Sequence, residues 1–150
     1  MNEYDFDIVK LARQGYCCSQ IVLHLALDLQ GQENPGLLRA MSGLCQGFSA
    51  TRGACGALTG AACLLAYHGG KGRADEEPHD RLPLMQAELA QWFEDSATVR
   101  FGGINCSDIV AGDRPDASVC GALVGECYGR ALAILVDNGF DPTADCHGDR

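Results

Sequence analysis

The chain has 150 residues, a net charge of −9 from 11 basic and 20 acidic side chains, and nine cysteines. A single domain of this length buries about 70% of its unfolded surface and can hold a core without crosslinks. The acidic balance argues against nucleic acid and anionic membrane surface as partners. An odd number of cysteines cannot pair completely, and nine in 150 falls below the density of a small disulfide scaffold. The opening MNEYDFDIVK is acidic and lacks the basic-then-apolar plan of a signal peptide. The longest uncharged stretch resembling a span, Ala54 to Tyr67, has 14 residues, whereas a membrane helix needs about 20. The expectation is a cytoplasmic protein without membrane contact, whose cysteines serve as ligands, catalysts or core filler rather than as disulfides.

In chain order, residues 4–14 form a short amphipathic helix with Phe6, Val9 and Ala12 near one face. Residues 17–29 place Cys18, Ile21, Val22, Leu25 and Leu29 on one helical stripe, which Gly31 ends. Asn34-Pro35 is a start signal, a cap followed by proline at the first helical position. The helix it opens lines up Leu37, Leu38, Met41, Leu44, Cys45 and Phe48, and residues 49–53 form a loop. The helix from Ala54 to Tyr67 carries no charge and should be buried nearly all round. Residues 70–80 (GKGRADEEPHD) read as an exposed loop. Leu82, Met85, Leu89, Trp92 and Phe93 mark the next amphipathic helix. Asn105 is placed to cap a short helix bearing Cys106, and the last helix runs from Ala117 to Asp137, stopped by Asn138-Gly139. Residues 140–150 form a polar tail, and no run alternates with period two. The fold class is therefore all-α, one compact bundle of five to seven helices.

Two hexapeptides, Cys55-Gly-Ala-Leu-Thr-Gly60 and Cys120-Gly-Ala-Leu-Val-Gly125, match at five of six positions and each opens near a helix start. A thiol at a helix N-terminus meets unpaired N–H groups and the positive dipole end. A neighbouring glycine lets a bulky anionic group approach the backbone. Each mid-helix glycine costs about 1 kcal/mol against alanine, so Gly56/Gly60, Gly121/Gly125 and Gly125/Gly129 imply tight helix packing or a close cofactor. No C-x-x-C occurs, nor any clustered ferredoxin spacing, P-loop or Rossmann fingerprint. Any metal site must therefore collect single cysteines from separate helices.

The series Gly15-Tyr16-Cys17-Cys18-Ser19-Gln20, Arg52-Gly53-Ala54-Cys55-Gly56-Ala57-Leu58-Thr59-Gly60, Asn105-Cys106 and Cys120 before Leu123-Val124 resembles the C-GCAxxG-C-C family. These are redox-active bacterial proteins of about this length, and a similar module occurs in split-Soret cytochromes. The resemblance implies four cysteines holding an iron–sulfur cluster, of the 2Fe–2S or 4Fe–4S type. Carried onto this chain, the metal ligands are Cys18, Cys55, Cys106 and Cys120, with Cys17 as alternate to the first and Cys127 to the last. Cys18 lies on the apolar stripe, whereas Cys17 lies beside the polar edge with His24 and Asp28. Cys120 and Cys127 share one apolar face.

Gly56 and Gly60 would admit the cofactor, and Arg52 could offset its charge. Zinc on the same thiols, making a structural or interaction domain, is the alternative cofactor, and cycling thiol–disulfide pairs such as Cys18–Cys55 is the other. The expected partner is an oxidoreductase or electron-transfer protein, and the glycine-faced helices suit either a homodimer or packing within one chain. No catalytic constellation is visible. Cys45 and Cys63 read as buried filler and Cys146 as an exposed tail thiol. His24, His68, His79 and His147 read as surface or cap residues, and Glu126–Arg130 as a helical i,i+4 pair.

Overall fold

The structure is a computed structural model that describes residues 2–146; His147 and the end of the expected polar tail lie outside the described residues. The helices are α1 (Asp5–Arg13), α2 (Cys18–Gln30), α3 (Pro35–Met41), α4 (Gly56–Gly69), α5 (Leu82–Phe101), α6 (Cys106–Ile109) and α7 (Ala117–Asp137). Ser42–Leu44 form one 3-10 turn, and residues 45–48 are an irregular turn, because Gln46 and Gly47 leave helical dihedrals. The described chain is all-α, with one isolated antiparallel bridge between Ala54 and Asn105.

The core forms where α2, α4 and α7 pack on one another, with α1 and α5 laid against them. α4 has no charged residue and no exposed one, as its composition requires. Gly60 allows its close approach to α2: a Cβ there would stand 3.0 Å from Ser19 Cα and 3.1 Å from the Ser19 carbonyl oxygen. On α7, Gly121 and Gly125 receive Ile8 of α1, and Gly129 faces Tyr4. Both glycine faces that suggested a dimer are therefore covered from within the chain.

Cap residues behave as their chemistry dictates. Asn34 accepts from Leu37 N–H at 3.0 Å, with Pro35 at the first helical position. Asp116 accepts from the Ser118 hydroxyl and from Ser118 and Val119 N–H to open α7, and these bonds hold its carboxyl below the usual range. Gly31 and Gly139 supply the left-handed backbone that ends α2 and follows α7.

Several expectations need correction. α1 buries Ile8 and Leu11, while Phe6, Val9 and Ala12 face outward. α3 stops at Met41, so Phe48 is not on its stripe and is exposed. On α2, Leu29 is exposed, whereas Leu23, Ala26 and Leu27 are buried. Glu126 and Arg130 bind α5 rather than each other: Arg100 Nη1 lies 2.9 Å from Glu126, and Arg130 Nη2 lies 3.1 Å from Glu88. α7 is long and apolar enough to cross a membrane by composition, yet here its apolar residues form the core against four neighbouring helices.

Candidate functional site: thiols at helix starts

The loop before α4 and the loop before α6 are stitched together at the Ala54–Asn105 bridge. Cys55 N–H donates to the Ile104 carbonyl at 2.9 Å, and Cys106 N–H to the Gly53 carbonyl at 2.7 Å. Side chains alternate across paired extended segments, so Cys55 and Cys106 both turn to the face opposite Ala54 and Asn105. Both are buried. The loop is held behind them by Gly53 N–H on the Gly47 carbonyl at 2.8 Å. Gly47 is required there, since a Cβ would overlap the Gly53 backbone and its φ is +68°. Arg52 is also left-handed, with φ 49°; its guanidinium donates to the Val110 carbonyl at 2.9 Å and its own carbonyl accepts from Ser107 N–H at 3.2 Å. Arg52 thus clamps the Cys55 loop to α6. On α6, Asn105 and Asp108 form a reciprocal capping box.

Cys55 is the cap residue of α4, Cys18 and Cys106 are the first residues of α2 and α6, and Cys120 is the fourth of α7. Four helix N-termini therefore present the four expected thiols. The Ala57 and Leu58 N–H groups donate to the Cys55 sulfur and favour its thiolate, but burial wins and pushes the thiol up to about 11. Burial first, and then the neighbouring Cys55, Cys18 and Cys106, push the Cys120 thiol to about 11 as well. These mutual interactions put the four sulfurs in one electrostatic neighbourhood. No three His, Cys, Asp or Glu side chains among the described residues close around a single ion. Gly56 lies under Cys18: a Cβ there would overlap the Cys18 sulfur and stand 3.2 Å from the Leu44 carbonyl oxygen.

The two alternates separate. Cys127 is fully buried in the core, where desolvation raises its thiol well above the ordinary value, and it interacts with Cys55 and Cys18. Cys17 is bonded to Cys45 as a disulfide with a Cα–Cα distance of 5.8 Å, inside the range that such a bond needs. This corrects both the placing of Cys17 as an alternate ligand and that of Cys45 as filler. Ser19 Oγ lies 3.4 Å from the Cys17 sulfur and donates to the Met41 carbonyl at 2.8 Å. Gln20 accepts from Cys17 N–H at 3.1 Å and donates to the Leu38 carbonyl at 3.0 Å. The first turn of α2 is thereby fixed to the end of α3. Cys63 is half-buried rather than buried, and burial raises its thiol. His68 is buried, not a surface residue, and Cys146 is half-buried with its sulfur 3.4 Å from His68 Nδ1. His24 fits its surface reading, pairing with Asp28 at 3.1 Å.

A helical bundle that brings several thiols to adjoining helix starts, beside a disulfide, defines a class of cysteine-rich proteins suited to redox chemistry. The family described as "Putative redox-active protein (C_GCAxxG_C_C)" matches residues 16–134, and the chain belongs to it. The protein is thus a member of a redox-active family. No curated protein and no solved structure matches the chain.

Proposed function

We propose that the protein binds an iron–sulfur cluster, 2Fe–2S or 4Fe–4S, on Cys18, Cys55, Cys106 and Cys120 and exchanges electrons with an oxidoreductase. The observation that carries the reading is the gathering of four soft thiols, from four separate helix starts, into one electrostatic neighbourhood. Bound there, the cluster would supply one-electron chemistry, which thiols alone do not. The Ala57 and Leu58 N–H groups would hydrogen-bond a ligand sulfur and stabilise its negative charge. Gly56 lets the Cys18 sulfur lie against the backbone at the start of α4, next to Cys55, where a methyl would exclude it. Burial of Cys55 and Cys106 keeps water from the ligands.

The test is anaerobic reconstitution with iron and sulfide, read by visible absorption and iron content. Charge-transfer bands that disappear on replacing any one of the four cysteines by alanine, and persist in Cys63→Ala, are expected. A colourless, iron-free protein overturns the reading; a colourless protein that retains zinc supports the structural alternative.

The Cys17–Cys45 disulfide favours a second reading, in which the protein cycles a dithiol and a disulfide. Two electrons and two protons from a dithiol reductant would open the bond to two thiols. That reading predicts a gain of two hydrogens in mass on reduction and redox activity in metal-free protein.

A further inference from the structure

On the side of the bundle formed by the C-terminal ends of α2 and α4, three side chains from distant parts of the chain meet. The Cys146 sulfur lies 3.4 Å from His68 Nδ1 and 3.3 Å from Gln30 Nε2, and Gln30 Nε2 lies 3.4 Å from His68 Nε2. His68 is 6% exposed, in the last turn of α4; its Nε2 faces the Gln30 amide nitrogen, which can only donate, so the ring proton sits on Nδ1 and points at the sulfur. The Asp141 carboxylate lies near His68, and that of Asp145 near Tyr67. Phe140 packs its ring against both His68 and His79 and covers the imidazole. Cys146 is only half-buried, so a small solute can reach its sulfur. A sulfur that accepts from an imidazole N–H is stabilised as the thiolate, which is the nucleophilic form. An amide N–H pointing at the sulfur stabilises the resulting anion. Cys146 lies outside the family match of residues 16–134, so the family relationship does not account for this arrangement.

We propose that Cys146, His68 and Gln30 form a second redox site, a nucleophilic thiol that hydroperoxides oxidise. The Cys146 thiol gives its proton to water, His68 Nδ1–H and Gln30 Nε2–H hold the thiolate, and the sulfur attacks the terminal peroxide oxygen. The O–O bond breaks, a sulfur–oxygen bond forms, and the departing alkoxide or hydroxide takes a proton from water. The sulfur loses two electrons and becomes a sulfenic acid, while the hydroperoxide is reduced by two electrons to alcohol or water. Phe140 and Tyr67 place apolar surface beside the imidazole. The site does not depend on the cluster reading, because none of its residues contributes to the four-thiol group.

The test uses the full chain, anaerobically reduced and then treated with hydrogen peroxide and excess dimedone at pH 7. Peptide mass spectrometry follows adducts at Cys146 and at Cys63, the half-buried thiol that serves as internal control. Cys146 is expected to react at least about tenfold faster than Cys63. His68→Gln should bring Cys146 down to the Cys63 rate, and Gln30→Ala should slow it severalfold. Equal rates at the two cysteines in the unaltered protein overturn the proposal whether or not the variants fold. So does a folded His68→Gln protein, with its helical circular dichroism intact, that reacts at the original rate.

Discussion

Two glycines in the same helix should respond differently to the same substitution. In Gly60→Ala the new methyl meets backbone: Ser19 Cα at 3.0 Å, the Ser19 carbonyl oxygen at 3.1 Å and Val22 Cβ at 3.3 Å. Ser19 cannot retreat easily, since its hydroxyl is tied to Met41 and its neighbour Gln20 to Leu38. Forcing α2 and α4 apart costs about 2–3 kcal/mol, the upper part of the overpacking range because the contacts are mainly backbone, and the better helix propensity of alanine returns about 1 kcal/mol. The net loss is about 1–2 kcal/mol, or roughly 2–8 °C in Tm for a chain of this size. In Gly56→Ala the methyl meets the Cys18 sulfur, the end of a side chain that can rotate, and stands 3.2 Å from the Leu44 carbonyl oxygen in the turn after α3. Rotation costs about 1 kcal/mol, partly offset by helix propensity at the first helical position, so Tm should fall less than in Gly60→Ala. The Cys18 thiol is then displaced from its neighbours, and its alkylation by iodoacetamide should rise. Thermal melts and per-cysteine alkylation of both variants decide the matter. A Gly60→Ala protein as stable as the original, or a Gly56→Ala protein that loses more stability than Gly60→Ala, would refute the packing argument.

Other outcomes follow from the same structure. Removing the disulfide by Cys45→Ser opens a loop spanning a sequence separation of 28, which chain entropy values at about 3–4 kcal/mol. A Tm drop of roughly 7–14 °C is expected, and dithiothreitol should lower the original protein to the same point while leaving the variant unchanged. The Cys55 thiol, raised from 9.0 to about 11 by burial, binds its proton more tightly folded than unfolded. Its contribution, about 3 kcal/mol, is present below pH 9 and lost as pH rises from 9 to 11; urea melts of reduced protein across that window should show the fall, and Cys55→Ala should make it shallower, the remainder coming from Cys120 and the other buried thiols. Double-mutant cycles should give about 0.2–1 kcal/mol of coupling for Arg100 with Glu126 and for Arg130 with Glu88, and none for Glu126 with Arg130. Gly129→Ala, whose methyl meets only Tyr4 at 3.7 Å, should raise Tm slightly.

Helix existence was legible because caps and periodicity are local properties. Asn34-Pro35, Asn105 ahead of Cys106, and the span from Ala117 to Asp137 all stand where local chemistry puts them. Which face is buried was less legible, because it depends on the neighbour. On α1, Phe6, Val9 and Ala12 and the pair Ile8 and Leu11 both have helical spacing. The decision falls to α7, whose Gly121 and Gly125 leave a groove that Ile8 fills. The ion pairs show the same limit: Glu126 and Arg130 have ideal i,i+4 spacing, yet α5 offers each an opposite charge and Trp92 offers Arg130 a ring face at 5.8 Å. The gathering of Cys18, Cys55, Cys106 and Cys120 could be read only through the family pattern, since the Ala54–Asn105 bridge joins residues 51 positions apart. The contacts of Cys146 with His68 and Gln30 leave no sequence signal at all; their separations of 78 and 116 residues have no periodicity to reveal them.

The adjacent cysteines at the start of α2 show how one residue step separates two kinds of chemistry. Cys17 holds the cap position in extended backbone, with ψ 174°, and its side chain meets Cys45 beyond the end of α3. Cys18 has already entered the helix, and its sulfur lies over Gly56 among the site thiols. The turn carrying Cys45 also carries Leu44, whose carbonyl covers the other side of Gly56. The disulfide therefore sits next to the turn that covers Gly56, beside Cys18. In the dithiol–disulfide reading proposed above, opening it would loosen the turn at Leu44, while the Ser19 and Gln20 hydrogen bonds would still hold Cys18 in register with α4.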